Sequence, residues 1–139
     1  MKTVNALERL WRRGCDFLGT RYAILGGAMT WVSERHLVSA ISNAGGFGVL
    51  ASGSMPSEIL RQEIQATRAM TDKPFGVNLI TLHPQLMDLV QVCIDEKVTH
   101  VALAGGLPSS ESIAKLKQAD IKVLCFAPAL VIAKRLLRL

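Results

Sequence analysis

Residues 42–53 read SNAGGFGVLASG, and what flanks their glycines decides the fold. Gly46, Gly48 and Ala51 spell G-x-G-x-x-A, the spacing of a dinucleotide phosphate loop. In such a loop the glycines follow a strand and open a helix, so that the helix N-terminus meets the pyrophosphate. Here the order is reversed. The stretch SERHLVSAISNAG (33–45) has apolar residues at 37, 38, 41 and 44, a helical spacing, with Ser33 placed to cap its start. FGVLASG (47–53) then reads as a buried strand. Asn43 to Gly46 therefore resemble a helix stop, in which glycine is free to take positive φ. The glycines are a helix-to-strand turn, and the dinucleotide reading fails on context.

Outward from this turn the same unit recurs. YAILGG (22–27) precedes the first of these helices, and PSEILRQEIQATRAMT (56–71) follows the second strand, with Pro56 suited to its first turn. PFGVNLI (74–80) leads to PQLMDLVQVCIDEK (84–97), and HVALAGG (100–106) leads to SSESIAKLKQA (109–119). KVLCFAPA (122–129) leads to LVIAKRLLRL (130–139). Strand starts at 22, 47, 74, 100 and 122 predict five compact βα units after a leading helix over residues 1–20. A closed (β/α)8 barrel has eight such units. The expected class is α/β, a TIM-barrel-type repeat of about five units in eight.

Composition agrees. Half of the 139 residues are hydrophobic and few are aromatic, as a buried parallel sheet requires. The longest apolar run, VLCFAPALVIA (123–133), contains Pro128 and is far short of the roughly 20 residues of a membrane span. The N-terminus carries charge throughout and has no apolar signal region. Cys15, Cys93 and Cys125 are odd in number and form no C-x-x-C pair, which fits reduced thiols and a cytoplasmic setting. The net charge of +5 resides at the ends, in Lys2, Arg9, Arg12, Arg13 and Arg21, and in Lys134, Arg135 and Arg138. No basic stripe crosses the body, so no nucleic-acid partner is expected.

Ligands in parallel α/β folds bind at the C-terminal strand ends. Those ends read GGAM (26–29), ASGS (51–54), NLIT (78–81), AGGLP (104–108) and APA (127–129). Small residues there admit a flat ligand or simply make turns. Asn78, in an otherwise apolar strand, needs hydrogen-bond partners, from neighbouring backbone or from a ligand. Met29 and Trp31 either line a pocket or cover the barrel end. His36 is expected to face solvent, His100 to lie at the opposite end, and His83 to stand at the start of a helix or to reach a ligand. No triad, metal cluster or acid pair gathers at a tip. A flavodoxin-like sheet would need a phosphate loop or acidic cluster after the first strand, and GGAMTW (26–31) offers neither.

ILGGAMTWVSERHLVSAISNAGGFGVLASGSM (24–55) and TDKPFGVNLITL (71–82) resemble the nitronate monooxygenase family, formerly 2-nitropropane dioxygenases, which includes FMN-dependent enoyl-acyl-carrier-protein reductases. APALVIAKRL (127–136) resembles that family's fifth unit. The resemblance implies a TIM barrel carrying FMN, with residues 21–139 as its N-terminal part. It implies that Gly26, Gly27, Ala28 and Met29 lie against the flavin, that Asn78 hydrogen-bonds it, and that Gly105 belongs to a loop near it. Leu25 stands where many relatives have glutamine. The family's catalytic histidine follows the sixth strand and its phosphate grip the seventh and eighth, so neither is expected among these residues. The implied activity is oxidation of nitronates with O2. The alternatives are reduction of an enoyl thioester, or an inactive half-barrel that pairs through its exposed sheet edges, with itself or another chain.

Overall fold

The protein is described by a computed structural model covering residues 6–139. A leading helix α1 (Ala6–Leu18) is followed by β1 (Leu25–Gly26), α2 (Arg35–Asn43), β2 (Phe47–Ala51), α3 (Ser57–Met70) and β3 (Phe75–Ile80). Then come α4 (Leu86–Asp95), β4 (His100–Ala104), α5 (Ser110–Gln118), β5 (Lys122–Cys125) and α6 (Leu130–Leu136). The five strands form one parallel sheet in the order β1-β2-β3-β4-β5. Chain order and spatial order coincide, so the sheet has no topological switch point. That excludes a doubly wound flavodoxin-like sheet and fits successive staves of a barrel.

Strand alternation divides the two faces. Leu50, Val77, Leu79, Val101 and Leu103 are fully buried in one core with Val38, Leu60, Ile64, Leu89, Val90 and Leu116 of the helices. Burying each such aliphatic side chain contributes about 1.5–3 kcal/mol. The opposite face carries Val49, Ala51, Asn78, Ala102 and Leu124. Register sets Ala51, Asn78, Ala102 and Leu124 side by side across four strands. On this inner face a smaller cluster of Leu18, Phe47 and Val49, joined by Ala28 and Leu124, closes the N-terminal end.

The glycine turn forms as predicted. Gly45 has φ +92, its N–H donates to Ser42 O at 3.0 Å, and Gly46 N–H donates to Ile41 O at 3.1 Å. This paired reach back into the last turn is a Schellman stop. Gly48 has a different role. A Cβ there would lie 2.4 Å from the carbonyl oxygen of Val38 and 2.9 Å from its Cα, so helix backbone rests on the strand.

Two local expectations are corrected. Ser33 does not cap α2; Glu34 does, its carboxylate accepting from His36 N at 3.0 Å and Leu37 N at 3.1 Å. The longer acid spans the gap, and Ser33 turns inward. Pro56 precedes α3 at the cap position instead of entering its first turn. The first strand is also shorter than YAILGG, because β1 has one neighbour and pairs only through Leu25 and Gly26.

The leading helix docks under the sheet. Its Phe17 carbonyl accepts from His100 Nε2 at 2.8 Å and from Lys122 Nζ. The His100 ring stands edge-on to Phe17 at 5.4 Å and to Phe47 at 4.8 Å. Gly76 leaves room for this, since a Cβ there would come within 2.9 Å of the Phe47 ring. His100 is buried, and a carbonyl can only accept, so Nε2 carries the proton. Burial, and secondarily the Lys122 charge, hold His100 below the ordinary histidine value of 6.5, against the raising influence of the Phe17 carbonyl.

Gly48→Ala should destabilise the fold by about 1–3 kcal/mol, the range for forcing a methyl into a packed site, read as a lower urea midpoint. Neutral His100 gives a pH signature. The unfolded chain takes up the proton first, so this stabilisation is present above about pH 6.5 and declines as pH falls toward the depressed folded value. His100→Gln should flatten that limb of a stability–pH curve.

Candidate functional site

The C-terminal strand ends form a wall without formal charge, with Asn78 at its centre. Asn78 is 8% exposed, and its side-chain amide has no hydrogen-bond partner among the described residues. Its neighbours Val77 and Leu79 point into the helix-covered core, which turns the amide to the inner face. Its polar atoms are not sealed from water, so the amide is reachable from the open inner face. Ala51 and Ala102 flank it in register, so methyl groups leave open the space above the amide. The main chain beneath is fixed: the Asn78 carbonyl accepts from Ser52 Oγ at 2.6 Å and Ser52 N at 3.3 Å.

The other candidates fall around this amide in different ways. A Cβ on Gly27 would meet nothing within 4 Å, so its smallness is not required by packing. Ala28 packs on the Leu18–Phe47–Val49 cluster, and Met29 is half exposed. Gly26 faces the other way: a Cβ there would lie 2.4 Å from Ile41 Cδ1 of α2. Helix packing already accounts for its lack of a side chain, leaving only its backbone available to a ligand. Gly105 follows β4 with φ +84, and a Cβ there would press on Ile80 Cγ2 at 3.0 Å. It borders an apolar recess of about 600 Å3 with Leu107, Phe126, Pro128 and Ile132.

Trp31 is 82% exposed with φ +65 and lines a separate groove with Glu34, Met55, Pro56 and Ile59. His36 faces solvent, and His83 Nδ1 accepts from Gln85 N at 3.1 Å, serving the turn before α4. Burial pushes the Cys93 thiol up to about 12 and raises Cys125, so neither is a ready nucleophile. Among the described residues no group of three or more His, Cys, Asp or Glu could hold a metal ion. Among them too, no helix is long and apolar enough to cross a membrane.

Sequence reasoning missed four residues. Thr81 Oγ1 is buried without a partner beside Gly106. Ser33 and Ser52 are buried hydroxyls at the β1 and β2 tips. Glu63, also buried, leaves α3 to pair with Arg35, and its Oε2 accepts from Arg35 N at 3.2 Å. Together with Glu34 it supplies carboxylate oxygens to the first three N–H groups of α2. That helix N-terminus, the usual seat of an anionic group, is already taken. No spacing rule marks Ser52 or Glu63, because their partners come from another strand and another helix.

Comparison with known proteins accords with this geometry. The family described as nitronate monooxygenase matches residues 12–131. The chain is 38% identical over 109 residues to a (3aS,4S,5R,7aS)-5-hydroxy-7a-methyl-1-oxo-octahydro-1H-indene-4-carboxyl-CoA dehydrogenase of Mycobacterium tuberculosis, covering 78% of this chain and 30% of that protein. It is 30% identical over 148 residues to a nitronate monooxygenase of Paraburkholderia phytofirmans, covering 79% and 40%. The structure of FabK from Thermotoga maritima superposes with a TM-score of 0.87 at 40% identity, over 91% of this chain and 40% of that one. The chain thus spans less than half the length of these relatives. The match spans most of the chain, and its fold and sequence agree: the chain belongs to the nitronate monooxygenase family.

Proposed function

We propose that this chain forms the flavin-ring wall of an FMN-dependent oxidoreductase that oxidises nitronates or nitroalkanes with O2. The observation that carries the reading is the unpartnered Asn78 amide, held between Ala51 and Ala102 on the open inner face. A neutral amide donates through its NH2 and accepts through its oxygen, so Asn78 can pair with ring heteroatoms of either kind without adding charge. Gly27, Ala28 and Met29 would lie along the ring with the backbone of Gly26, and Gly105 would border it from β4. Bound FMN would supply the two-electron acceptor for substrate oxidation. The chain's own part is to bind, orient and shield the ring. The carboxylates at the start of α2 would repel the FMN phosphate, so this wall holds the ring end and leaves the phosphate to another part of the site.

A second reading, reduction of an enoyl thioester, draws on the likeness to FabK, at 40% identity over 91% of this chain. The apolar recess beside Gly105 suits an acyl group. Consumption of O2 with a nitronate supports the first reading, and NAD(P)H-dependent loss of an enoyl thioester supports the second.

Titration with FMN, followed by quenching of flavin fluorescence, tests the shared premise. Asn78→Leu should weaken binding about tenfold, the equivalent of one lost buried hydrogen bond, while leaving the melting temperature at or above its original value. Gly27→Ala should also weaken binding and leave stability unchanged, since its methyl meets no protein atom. Flavin fluorescence unaffected by the unsubstituted chain overturns the proposal.

A further inference from the structure

The loop between β1 and α2 carries Gly27 and Met29, yet it is neither helix nor strand. Trp31 within it has a left-handed φ of +65, which a side-chain-bearing residue adopts only when its surroundings hold it there. The turn that contains it is closed by Val32 N, which donates to Met29 O at 3.0 Å, and Ser33 ties the residues on either side of Ala28. The residue is 3% exposed, and its Oγ donates to Gly27 O at 3.0 Å while accepting from Met29 N at 3.0 Å. One hydroxyl thereby fixes the two main-chain groups on either side of Ala28. Its own backbone completes the lock: Ser33 N donates to Met29 O at 2.8 Å, and Ala51 N donates to Ser33 O at 3.0 Å.

The lock continues along the wall. Ala51 is followed by Ser52, whose N–H and hydroxyl both donate to the carbonyl of Asn78. A continuous seam of hydrogen bonds therefore runs from Gly27 and Met29 through Ser33, Ala51 and Ser52 to Asn78. It joins the loop to the strand bearing the unpartnered amide.

We infer that Ser33 is a positioning residue that sets the Gly27–Met29 loop at a fixed distance from Asn78, so that the two engage one planar ligand together. This inference rests on the flavin reading for the ligand's identity, though not for the loop's geometry. Ser33 touches no ligand itself. A residue needed only for folding would lower stability overall; Ser33 controls the loop and the affinity ahead of the rest of the sheet.

The full chain is examined as Ser33→Ala, Ser33→Thr and Ser33→Cys by amide hydrogen exchange, thermal melting and FMN titration. Ser33→Ala should speed exchange at residues 28–33 by about tenfold or more, with β3 and β4 unchanged, and should weaken FMN binding about tenfold. Ser33→Thr, which keeps the hydroxyl, should restore both. Ser33→Cys matches the size with a poorer hydrogen-bonding group, should resemble Ser33→Ala, and decides the matter if Ser33→Ala does not fold. Exchange in the loop that equals the unsubstituted chain's, or that rises equally across the whole sheet, overturns the inference. If the unsubstituted chain binds no FMN, the flavin reading fails, and loop exchange alone still decides Ser33.

Discussion

The contact of α2 on β2 at Gly48 sets the rest of the molecule. A Cβ at that position would sit 2.4 Å from the Val38 carbonyl oxygen, so the helix backbone lies as close to the sheet as backbone can. Gly26 and Gly46 extend the same contact, since a Cβ on either would press on Ile41, at 2.4 Å and 3.2 Å. Two strand glycines, Gly26 and Gly48, and one turn glycine, Gly46, thus form one seat for one helix. With α2 seated, its N-terminus is carried to the C-terminal end of the sheet, and the loop before it must cross the β1 tip in a tight path. The left-handed Trp31 and the inward Ser33 follow from that crossing.

The same seat governs the electrostatics of the wall. A helix N-terminus beside a strand tip attracts anions. In this chain Glu34 and Glu63 occupy it first, with Arg35 balancing Glu63 across the α2–α3 boundary. Pairing with Glu63, and to a lesser extent the charge of Glu34, raises the Arg35 guanidinium above its ordinary value and keeps it charged. The wall is left with amide, backbone and methyl groups, an environment that suits an uncharged planar ring. At the opposite end the site is sealed differently. The Phe17 carbonyl takes hydrogen bonds from His100 and Lys122, and Leu18 fills the space under Phe47 and Val49. Rigidity at that end frees the other for binding.

Much of this was legible from local pattern. The βα repeat, the helix stop at Gly45 and the far-end position of His100 all follow from alternation, helical spacing and the chemistry of glycine, whereas Asn78, expected at a strand tip, lies inside β3 with Leu79 and Ile80 beyond it. The cap of α2 is misread from sequence because Ser33 is of the residue type that caps helices and Glu34 is not. The choice between them depends on what lies inward of Ser33, namely the Gly27 carbonyl and the Met29 amide. Gly26 was read as a ligand contact, yet the space it leaves is claimed by Ile41 of α2.

The sequence by itself determined the class of fold and the family, because strand and helix periodicity and glycine turns are properties of neighbouring residues. Tertiary structure alone decided which groups are left without partners. Asn78 lacks one and Ser52 does not, although both are polar residues in the C-terminal half of a strand or just beyond it. The reason is register: Ser52 is set beside a free carbonyl on β3, and Asn78 between two alanines. Hydrogen bonds between strands are satisfied across the sheet and not along the chain, so the order of residues does not reveal the vacancy.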